Sequence, residues 1–114
     1  IKRTRDRMWV SNLETMKEIL DIYTFTAEKY AEPDGSVTLS LNEIDLVENA
    51  PSEIEARLCM GKSIMEYALE YYNEYQLYSK APNRKGHIPY VFKALITDDP
   101  RKIGEGIVCQ DGKS

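Results

Sequence analysis

Apolar residues recur at helical intervals near the start of the chain, in the segment "SNLETMKEILDIY". Ser11 followed three residues later by Glu14 has the spacing of an N-terminal capping box. The apolar positions that follow are spaced by three or four residues and are Leu13, Met16, Ile19 and Leu20. This pattern predicts a short amphipathic helix over about 11–21, with Trp9 covering its first turn.

Strict alternation of apolar and polar residues follows on both sides of "EPDG" at 32–35. Alternation with β-branched and aromatic residues around a glycine-containing turn predicts a β-hairpin, over about 22–47. The alternation shifts register near Asn42. Either the second strand bends there and continues through Ile44 and Leu46, or a third strand begins at this point. The apolar members of the hairpin are Tyr23, Phe25, Ala27, Val37, Leu39 and Leu41.

A second helical pattern is the strongest in the chain. Pro51 suits a first helical turn, and the acidic residues after it favour the positive end of a helix dipole. We predict one long helix over about 52–79, with an apolar face against the sheet. Gly61 on that face costs about 1 kcal/mol relative to Ala unless close packing against the sheet requires it. The predicted face has spacings of 4, 3, 4, 4 and 3 and consists of Ile54, Leu58, Gly61, Met65, Leu69 and Tyr72.

The C-terminal region predicts a helical segment over about 88–106. Pro89 suits the start of a helix over "IPYVFKALITDD", which we favour over a strand at 88–96, and Asp99 with Pro100 can begin one more turn. The closing "GIVCQ" is a short strand or a docked tail. We therefore expect a single α+β domain over 1–114, in which a small antiparallel sheet of two or three strands packs against one long helix. A short N-terminal helix and one or two C-terminal helices complete it.

Composition excludes several classes of protein. A hydrophobic fraction of 42% with 30% charged residues is typical of a globular chain. No apolar run approaches the roughly 20 residues that a membrane helix needs. The N-terminal segment lacks the apolar stretch of a signal peptide, so we expect a cytoplasmic protein with no membrane contact. Cys59 and Cys109 are expected to be free thiols in that compartment.

Charge is distributed unevenly along the chain. Residues 1–7 carry a net charge of +3, residues 8–80 a net charge of −9, and residues 81–114 a net charge of +2. An acidic middle segment repels nucleic-acid backbones and favours a basic partner. Any contact with phosphate would use the chain ends or the pair Arg84 and Lys85.

The loop "PNRKGH" at 82–87 is the first candidate site. Arg and Lys side chains bind carboxylates or phosphates, and His87 titrates near neutral pH. The same residues are also ordinary turn chemistry between two helices. A neighbouring tyrosine stripe, formed by Tyr67, Tyr71, Tyr75 and Tyr78, predicts a core margin or dimer seam, with a base-stacking platform as the alternative. The ligand-binding hypothesis uses Asn83, Arg84, Lys85, His87, Tyr75 and Tyr78.

An acidic ridge is the second candidate site. Glu66, Glu70 and Glu74 are spaced by four residues, with only Lys62 placed to relieve their repulsion. The ridge is either a solvated helix face or a docking strip for a basic partner.

Motifs for catalysis are not found. The sequence has no nucleophile elbow, glycine-rich phosphate loop or metal-binding motif. Glu43 and Asp45 could imitate a two-metal nuclease only if further acids converged on them. We predict that the protein is not an enzyme and has no cofactor and no metal.

The stretch "EPDGSVTLSLNEIDLVENAPSEIEARLCMGKSIMEYALEYY" resembles the ββα unit of HicB-like proteins. More specifically, "RDRMWVSNLETMKEIL", "DGSVTLSLNEIDLVENA", "ALEYYNEYQLYSKAPNRKGHIPYVFKAL" and "IVCQDGK" resemble, in this order, a Phd/YefM-like antitoxin group of RelE/RelB-type toxin–antitoxin systems. Together with "YTF", these segments cover nearly the whole chain. No single one is a catalytic signature.

This resemblance implies a non-enzymatic antitoxin, a homodimer, that neutralises a basic toxin by covering its active surface. It does not favour DNA contact, because antitoxins often use a separate DNA-binding module and this sequence shows no second domain or helix-turn-helix. The part of the sequence that could contact DNA is the basic tip, formed by Lys2, Arg3, Arg5 and Arg7. The resemblance assigns no functional residues. The alternative function is a small-ligand or nucleic-acid-binding domain that uses the 83–87 loop and neighbouring tyrosines.

Overall fold

The computed structural model describes residues 13–112, which form an α+β fold as predicted. The predicted cap Ser11, the covering residue Trp9 and the basic tip at 2–7 lie outside the described residues. Within 13–112, the α-helices are α1 (13–20), α2 (Glu53–Asn73), α3 (Tyr75–Tyr78), α4 (Ile88–Thr97) and α5 (Pro100–Glu105), with one 3₁₀ turn at Lys85–His87. The strands are β1 (Thr26–Ala31), β2 (Val37–Leu41), β3 (Val47–Ala50) and β4 (Val108–Asp111).

The described residues form one mixed sheet in the order β3-β2-β1-β4. The first three strands are antiparallel, whereas β4 pairs in parallel with β1 and sets Cys109 opposite Ala27. The prediction of a purely antiparallel sheet of two or three strands was therefore wrong. A four-residue strand is too short for its sequence to show a pairing direction, which the path of the preceding helices decides. Of the two alternatives for "GIVCQ", a short strand or a docked tail, the structure has the strand, as part of β4.

The predicted hairpin turn is present at Glu32–Ser36. The backbone N–H of Glu32 donates to the carbonyl oxygen of Ser36 at 2.9 Å. Gly35 has φ of 90°, which a residue with a side chain rarely adopts, and the Asp34 carboxylate accepts from the Ser36 backbone N–H at 2.9 Å. The turn residues Asp34 and Gly35 therefore have the roles that the sequence predicts.

A bend over 42–46 separates β2 from β3. The N–H of Leu41 donates to the carbonyl oxygen of Leu46 at 2.9 Å, which closes the bend. The Glu43 carboxylate secures it by accepting from both the backbone N–H (2.7 Å) and the hydroxyl of Thr26. A second strand continuing through Ile44 and Leu46 is therefore wrong, and a third strand begins at Val47. This third strand lies between the hairpin and α2, at a position where a ββα unit has no strand.

The long helix is shorter than predicted. Ser52 is its N-cap and accepts from the N–H of Glu55 at 3.2 Å, so Pro51 precedes the helix. At the other end, Glu74 has φ of −111° and ψ of 37°, which ends α2 and starts the single turn of α3. A continuous helix over 52–79 is thus wrong. The break lets the ring of Tyr78 pack edge-on against that of Tyr71, with 5.5 Å between ring centroids.

The core lies between the sheet and α2, with α4 and α5 against the same helix. The predicted apolar face of α2 was only partly right. Gly61 and Met65 are buried, but Ile54 (81%), Leu58 (39%), Leu69 (50%) and Tyr72 (59%) are exposed. Small residues occupy much of the true inner face, so periodicity selected the neighbouring stripe of larger side chains. The buried members on α2 are Ala56, Met60, Gly61, Ile64, Met65, Ala68 and Tyr71.

Gly61 is required by a close helix crossing. A Cβ atom at this position would collide with the carbonyl oxygen of Pro100, and one on Gly104 would collide with the carbonyl oxygen of Arg57. The close packing is therefore against α5 and not against the sheet. Arg57 locks the same crossing, since its Nη1 donates to the carbonyl oxygens of Gly104 at 3.1 Å and Ile107 at 2.6 Å.

The C-terminal helices agree with the sequence. Residues 88–97 are helical, with Pro89 in the first turn, and Asp99 caps α5 by accepting from the N–H of Arg101 at 3.0 Å. Cys59 and Cys109 are free, as predicted. Across 13–112, none of the helices has the length and apolarity needed to span a bilayer.

Candidate partner-binding surface and adjoining cleft

The acidic ridge of Glu66, Glu70 and Glu74 lies on the outside of the protein. All three residues are exposed, the first two on α2 and the third at the break that follows it. None of the ion pairs among residues 13–112 involves them, and Lys62 does not reach them. The ridge therefore presents three carboxylates whose charge is not neutralised within the described part of the chain.

A cleft of about 290 Å³ lies beside the ridge. It is bounded by α2, the 82–87 loop and the bend between β2 and β3. Four of the six residues predicted for ligand binding line it, together with Glu70 of the ridge. The lining residues are Ile44, Asp45, Leu46, Tyr67, Glu70, Tyr78, Asn83, Arg84 and His87.

Arg84 is held in place by aromatic rings. Its guanidinium carbon lies 4.3 Å from the ring centroid of Tyr78 and 5.7 Å from that of Tyr67, both within cation–π range. Its carbonyl oxygen accepts from the hydroxyl of Tyr71 at 2.9 Å. No carboxylate within 13–112 forms an ion pair with this guanidinium. The side chain is oriented, but its charge is not matched by an acid.

Tyr67 and His87 meet at the wall of the cleft, with 2.7 Å between the phenol oxygen and Nδ1. Burial is the main cause that lowers the pKa of His87, Arg84 adds to this effect, and Asp45 opposes it. Burial also raises the pKa of Tyr67. The phenol oxygen and Nδ1 therefore share one hydrogen bond, in which the tautomer of the neutral imidazole decides which group donates.

Two predicted ligand residues lie elsewhere. Lys85 is exposed and does not line the cleft. Tyr75 packs between Tyr71 and Phe92, with ring centroids at 6.1 Å and 6.3 Å. Tyr71 itself is fully buried, so the tyrosine stripe serves mainly as a core margin.

Sequence reasoning missed four residues of the cleft, of which Asp45 and Tyr67 carry polar groups. Tyr67 belongs to the tyrosine stripe but was not assigned to the site, although it precedes Tyr71 by one helical turn. Asp45 comes from the bend, and no local signal links it to the loop at 82–87. Glu43, the acid that was considered with Asp45 for a two-metal site, accepts hydrogen bonds from Thr26 at both of its carboxylate oxygens. Among residues 13–112, no three metal-binding side chains come together.

Comparison with known proteins identifies the family. A family model described as an antitoxin of RelE/RelB toxin–antitoxin systems, named PHD-like, matches residues 1–109. The chain belongs to this antitoxin family. The antitoxin resemblance seen in the sequence is confirmed, whereas the match does not address the HicB-like unit.

A solved structure supports the same relationship for this antitoxin. The crystal structure of a protein from Syntrophomonas wolfei subsp. wolfei, described as an antitoxin part of a proposed toxin/antitoxin system, superposes with a TM-score of 0.81 at 29% identity. The alignment covers 88% of this chain and 72% of that one. A search of curated proteins found no match.

The ridge and the cleft offer this antitoxin different chemistry. The ridge presents unpaired negative charge along a helix, which attracts cationic groups. The cleft presents an oriented guanidinium, an amide and an imidazole, which are hydrogen-bond donors for an anion. A protein partner with a basic surface matches the first, and a small anionic ligand matches the second.

Proposed function

We propose that this antitoxin neutralises a basic toxin by covering the toxin's surface with the outer face of α2. The supporting observation is the acidic ridge of Glu66, Glu70 and Glu74, which is exposed and unpaired within 13–112 on a chain of the antitoxin family. The net charge of −9 over residues 8–80 extends the same negative field.

Electrostatics favours such a pairing in two ways. Unpaired carboxylates on one face accelerate encounter with a cationic protein, and they disfavour partners of like charge. The helix also has the necessary length. With 21 residues, α2 is about 32 Å long at 1.5 Å per residue, a suitable span for one side of a standard protein interface.

The test begins with the genes adjacent to this one, where we expect a small basic protein to be encoded. We expect it to be toxic when expressed alone, to lose its toxicity when co-expressed with this chain, and to co-purify with it. Changing Glu66, Glu70 and Glu74 to Gln should weaken binding at least tenfold, with a reduced salt dependence. Isolation of the protein always alone, with no toxic neighbour, would contradict the proposal.

A matched control removes the same charge elsewhere. Glu18→Gln, Asp21→Asn and Glu32→Gln neutralise three carboxylates, on α1, in the turn after it and in the hairpin, that form no ion pair within 13–112. We expect this variant to bind nearly as well as the original chain. Equal loss in both triple variants would assign the effect to net charge and not to the ridge.

The homodimer and the cytoplasmic location remain predictions. Light scattering of the purified chain tests the first, and fractionation of the native host tests the second.

A second candidate function is binding of a small anion in the cleft. The observation that favours it is Arg84, which the tyrosine rings orient and which forms no ion pair with a carboxylate of the described chain. Titration with phosphate and with a mononucleotide, followed by amide chemical shifts, tests this function. Shifts at Asn83, Arg84 and His87 that disappear in Arg84→Gln would support it. The absence of shifts at millimolar concentration would contradict it.

A further inference from the structure

One flank of α2 carries large apolar side chains that the described fold does not cover. We call the residues Ile54, Leu58, Leu69 and Tyr72 the apolar strip. Their exposed fractions are 81%, 39%, 50% and 59%. Their spacing predicted a buried face, and the structure buries only Gly61 and Met65 between them. The sequence thus contains a second helical stripe with core-like composition, whose two ends are exposed and whose middle is buried where α5 crosses at Gly61.

Exposed apolar area of this kind is typical of an interaction surface. Scattered apolar residues are normal on a protein, whereas a contiguous patch of a few hundred Å² commonly marks a contact site. At its N-terminal end the strip borders a recess of about 390 Å³ between α2 and α5. The recess is lined by Ile54, Arg57, Leu58, Arg101 and Glu105.

The strip runs alongside the acidic ridge. Successive residues of an α-helix are about 100° apart, so Leu69 lies about 60° from Glu66 around the axis, and Tyr72 about 60° further on. The C-terminal half of α2 therefore presents one apolar row and one acidic row, side by side. A single partner segment lying along the helix would contact both rows.

The charge of the ridge argues for the kind of occupant. A second copy that packed its strip antiparallel against this one would place like edges of the two helices together. The edge that carries the acidic ridge would then face the same edge of the other copy, where acidic residues outnumber the one exposed cation, Lys62. Like charges at an interface oppose association. A cationic partner would instead be attracted by the acidic ridge.

We propose that the C-terminal end of the apolar strip is the docking surface for a basic amphipathic helix of the cognate toxin. The apolar side of that helix lies on Leu69 and Tyr72, and its Lys and Arg side chains pair with the acidic ridge. This is the helix-in-groove mode of peptide recognition, in which apolar anchors supply affinity and flanking charges select orientation. The inference rests on the proposed function, because it names the segment of the toxin that α2 covers.

The experiment uses the full chain and the small basic protein that co-purification is expected to recover, with association and dissociation rates measured by surface plasmon resonance. Leu69→Ala combined with Tyr72→Ala should raise the dissociation rate at least tenfold and leave the salt dependence of association unchanged. Replacing the ridge glutamates by Gln should instead slow association and reduce its salt dependence. Ile54→Ala, beyond the crossing of α5 at the other end of the strip, should leave both rates unchanged.

The matched control is Val47→Ala combined with Val108→Ala. These residues are 63% and 49% exposed and lie on the two edge strands of the sheet. We expect this control to keep the original dissociation rate. Because the altered residues in both pairs are largely exposed, the melting temperatures should change little.

Three results would overturn the inference, and they are distinguishable. If the original chain binds the basic protein and the strip variants bind it equally well, α2 uses another face and the proposed function survives. If the strip variants convert a dimer into a monomer by light scattering while toxin affinity is kept, the strip joins two copies of this chain. If the original chain does not bind the basic protein at all, the proposed function fails together with the inference.

Discussion

The phenol oxygen of Tyr67 and Nδ1 of His87 lie 2.7 Å apart at the wall of the cleft. Burial lowers the pKa of His87 from its ordinary value of 6.5. The unfolded chain therefore binds a proton at this residue more readily than the folded chain does. We expect the free energy of unfolding to decrease as the pH falls from 6.5 through the folded pKa, and His87 to have no effect on it well above pH 6.5.

Proton NMR measures this pKa directly, because the chain contains one histidine. The titration midpoint should lie below 6.5, and His87→Asn should flatten the dependence of stability on pH in the same range. A midpoint at or above 6.5, or an unchanged pH slope in the variant, would contradict the prediction. Tyr67→Phe serves as the control that removes the hydrogen bond and retains the aromatic ring.

The crossing of α2 and α5 tolerates no side chain at Gly61. Gly61→Ala brings a methyl group onto the carbonyl oxygen of Pro100, and relief requires the helices to separate. We expect a loss of about 2–3 kcal/mol in the free energy of unfolding, since overpacking against backbone has few routes of relaxation. Urea titration measures the loss. Gly86→Ala is the control, because nothing lies within 4 Å of its added methyl group.

Arg57 links α2 to the end of α5 through charged hydrogen bonds. Arg57→Ala leaves the carbonyl oxygens of Gly104 and Ile107 without their donor and removes a 2.9 Å ion pair with Glu53. We expect a loss of about 2 kcal/mol in the free energy of unfolding. Arg101→Ala should cost under about 0.5 kcal/mol, because its pair with Glu105 is largely exposed. Equal losses in the two variants would refute the role given to Arg57.

Arg84 and Lys85 are neighbours in the loop but differ in their contacts. Arg84→Ala removes the cation–π contact with Tyr78, whose ring centroid lies 4.3 Å from the guanidinium carbon. We expect a loss of about 0.5–1 kcal/mol in stability. Lys85→Ala should leave the melting temperature nearly unchanged because Lys85 is exposed. Thermal unfolding followed by circular dichroism compares the two, and equal melting temperatures would show that the stacking contributes nothing measurable.

Local chemistry made several elements predictable from the sequence. The turn at 32–35, the start of α4 near Pro89 and the cap of α5 at Asp99 each depend on residues close in the chain. Their backbone preferences act without help from distant segments. The same holds for the acidic ridge, since a spacing of four residues places side chains on one helix face.

Long-range features were harder to predict. The choice between two apolar stripes on α2 depends on the position of the sheet, and the parallel pairing of β4 depends on where the intervening helices return the chain. The break at Glu74 interrupts a segment whose helical propensity favours continuation, and the rings of Tyr71 and Tyr78 pack together across it. Such effects arise only once the elements assemble.

The cleft contains residues that the sequence predicted and residues that it did not. Asn83, Arg84 and His87 were found because they stand in one unusual loop, and Tyr78 because it lies on the nearby stripe. Asp45 and Tyr67 join them from other elements of the fold. Lys85 shares the loop but does not line the cleft, because adjacent side chains in a turn need not face the same direction.

The parallel strand β4 has a consequence for biosynthesis. Its partner β1 leaves the ribosome about eighty residues earlier, so this pairing has a high contact order and forms late. Until then, one edge of β1 stays without its hydrogen-bonding neighbour, and Arg57 has not met the carbonyl groups that follow α5. A nascent chain is therefore exposed to proteases and to edge-on aggregation until β4 is synthesised.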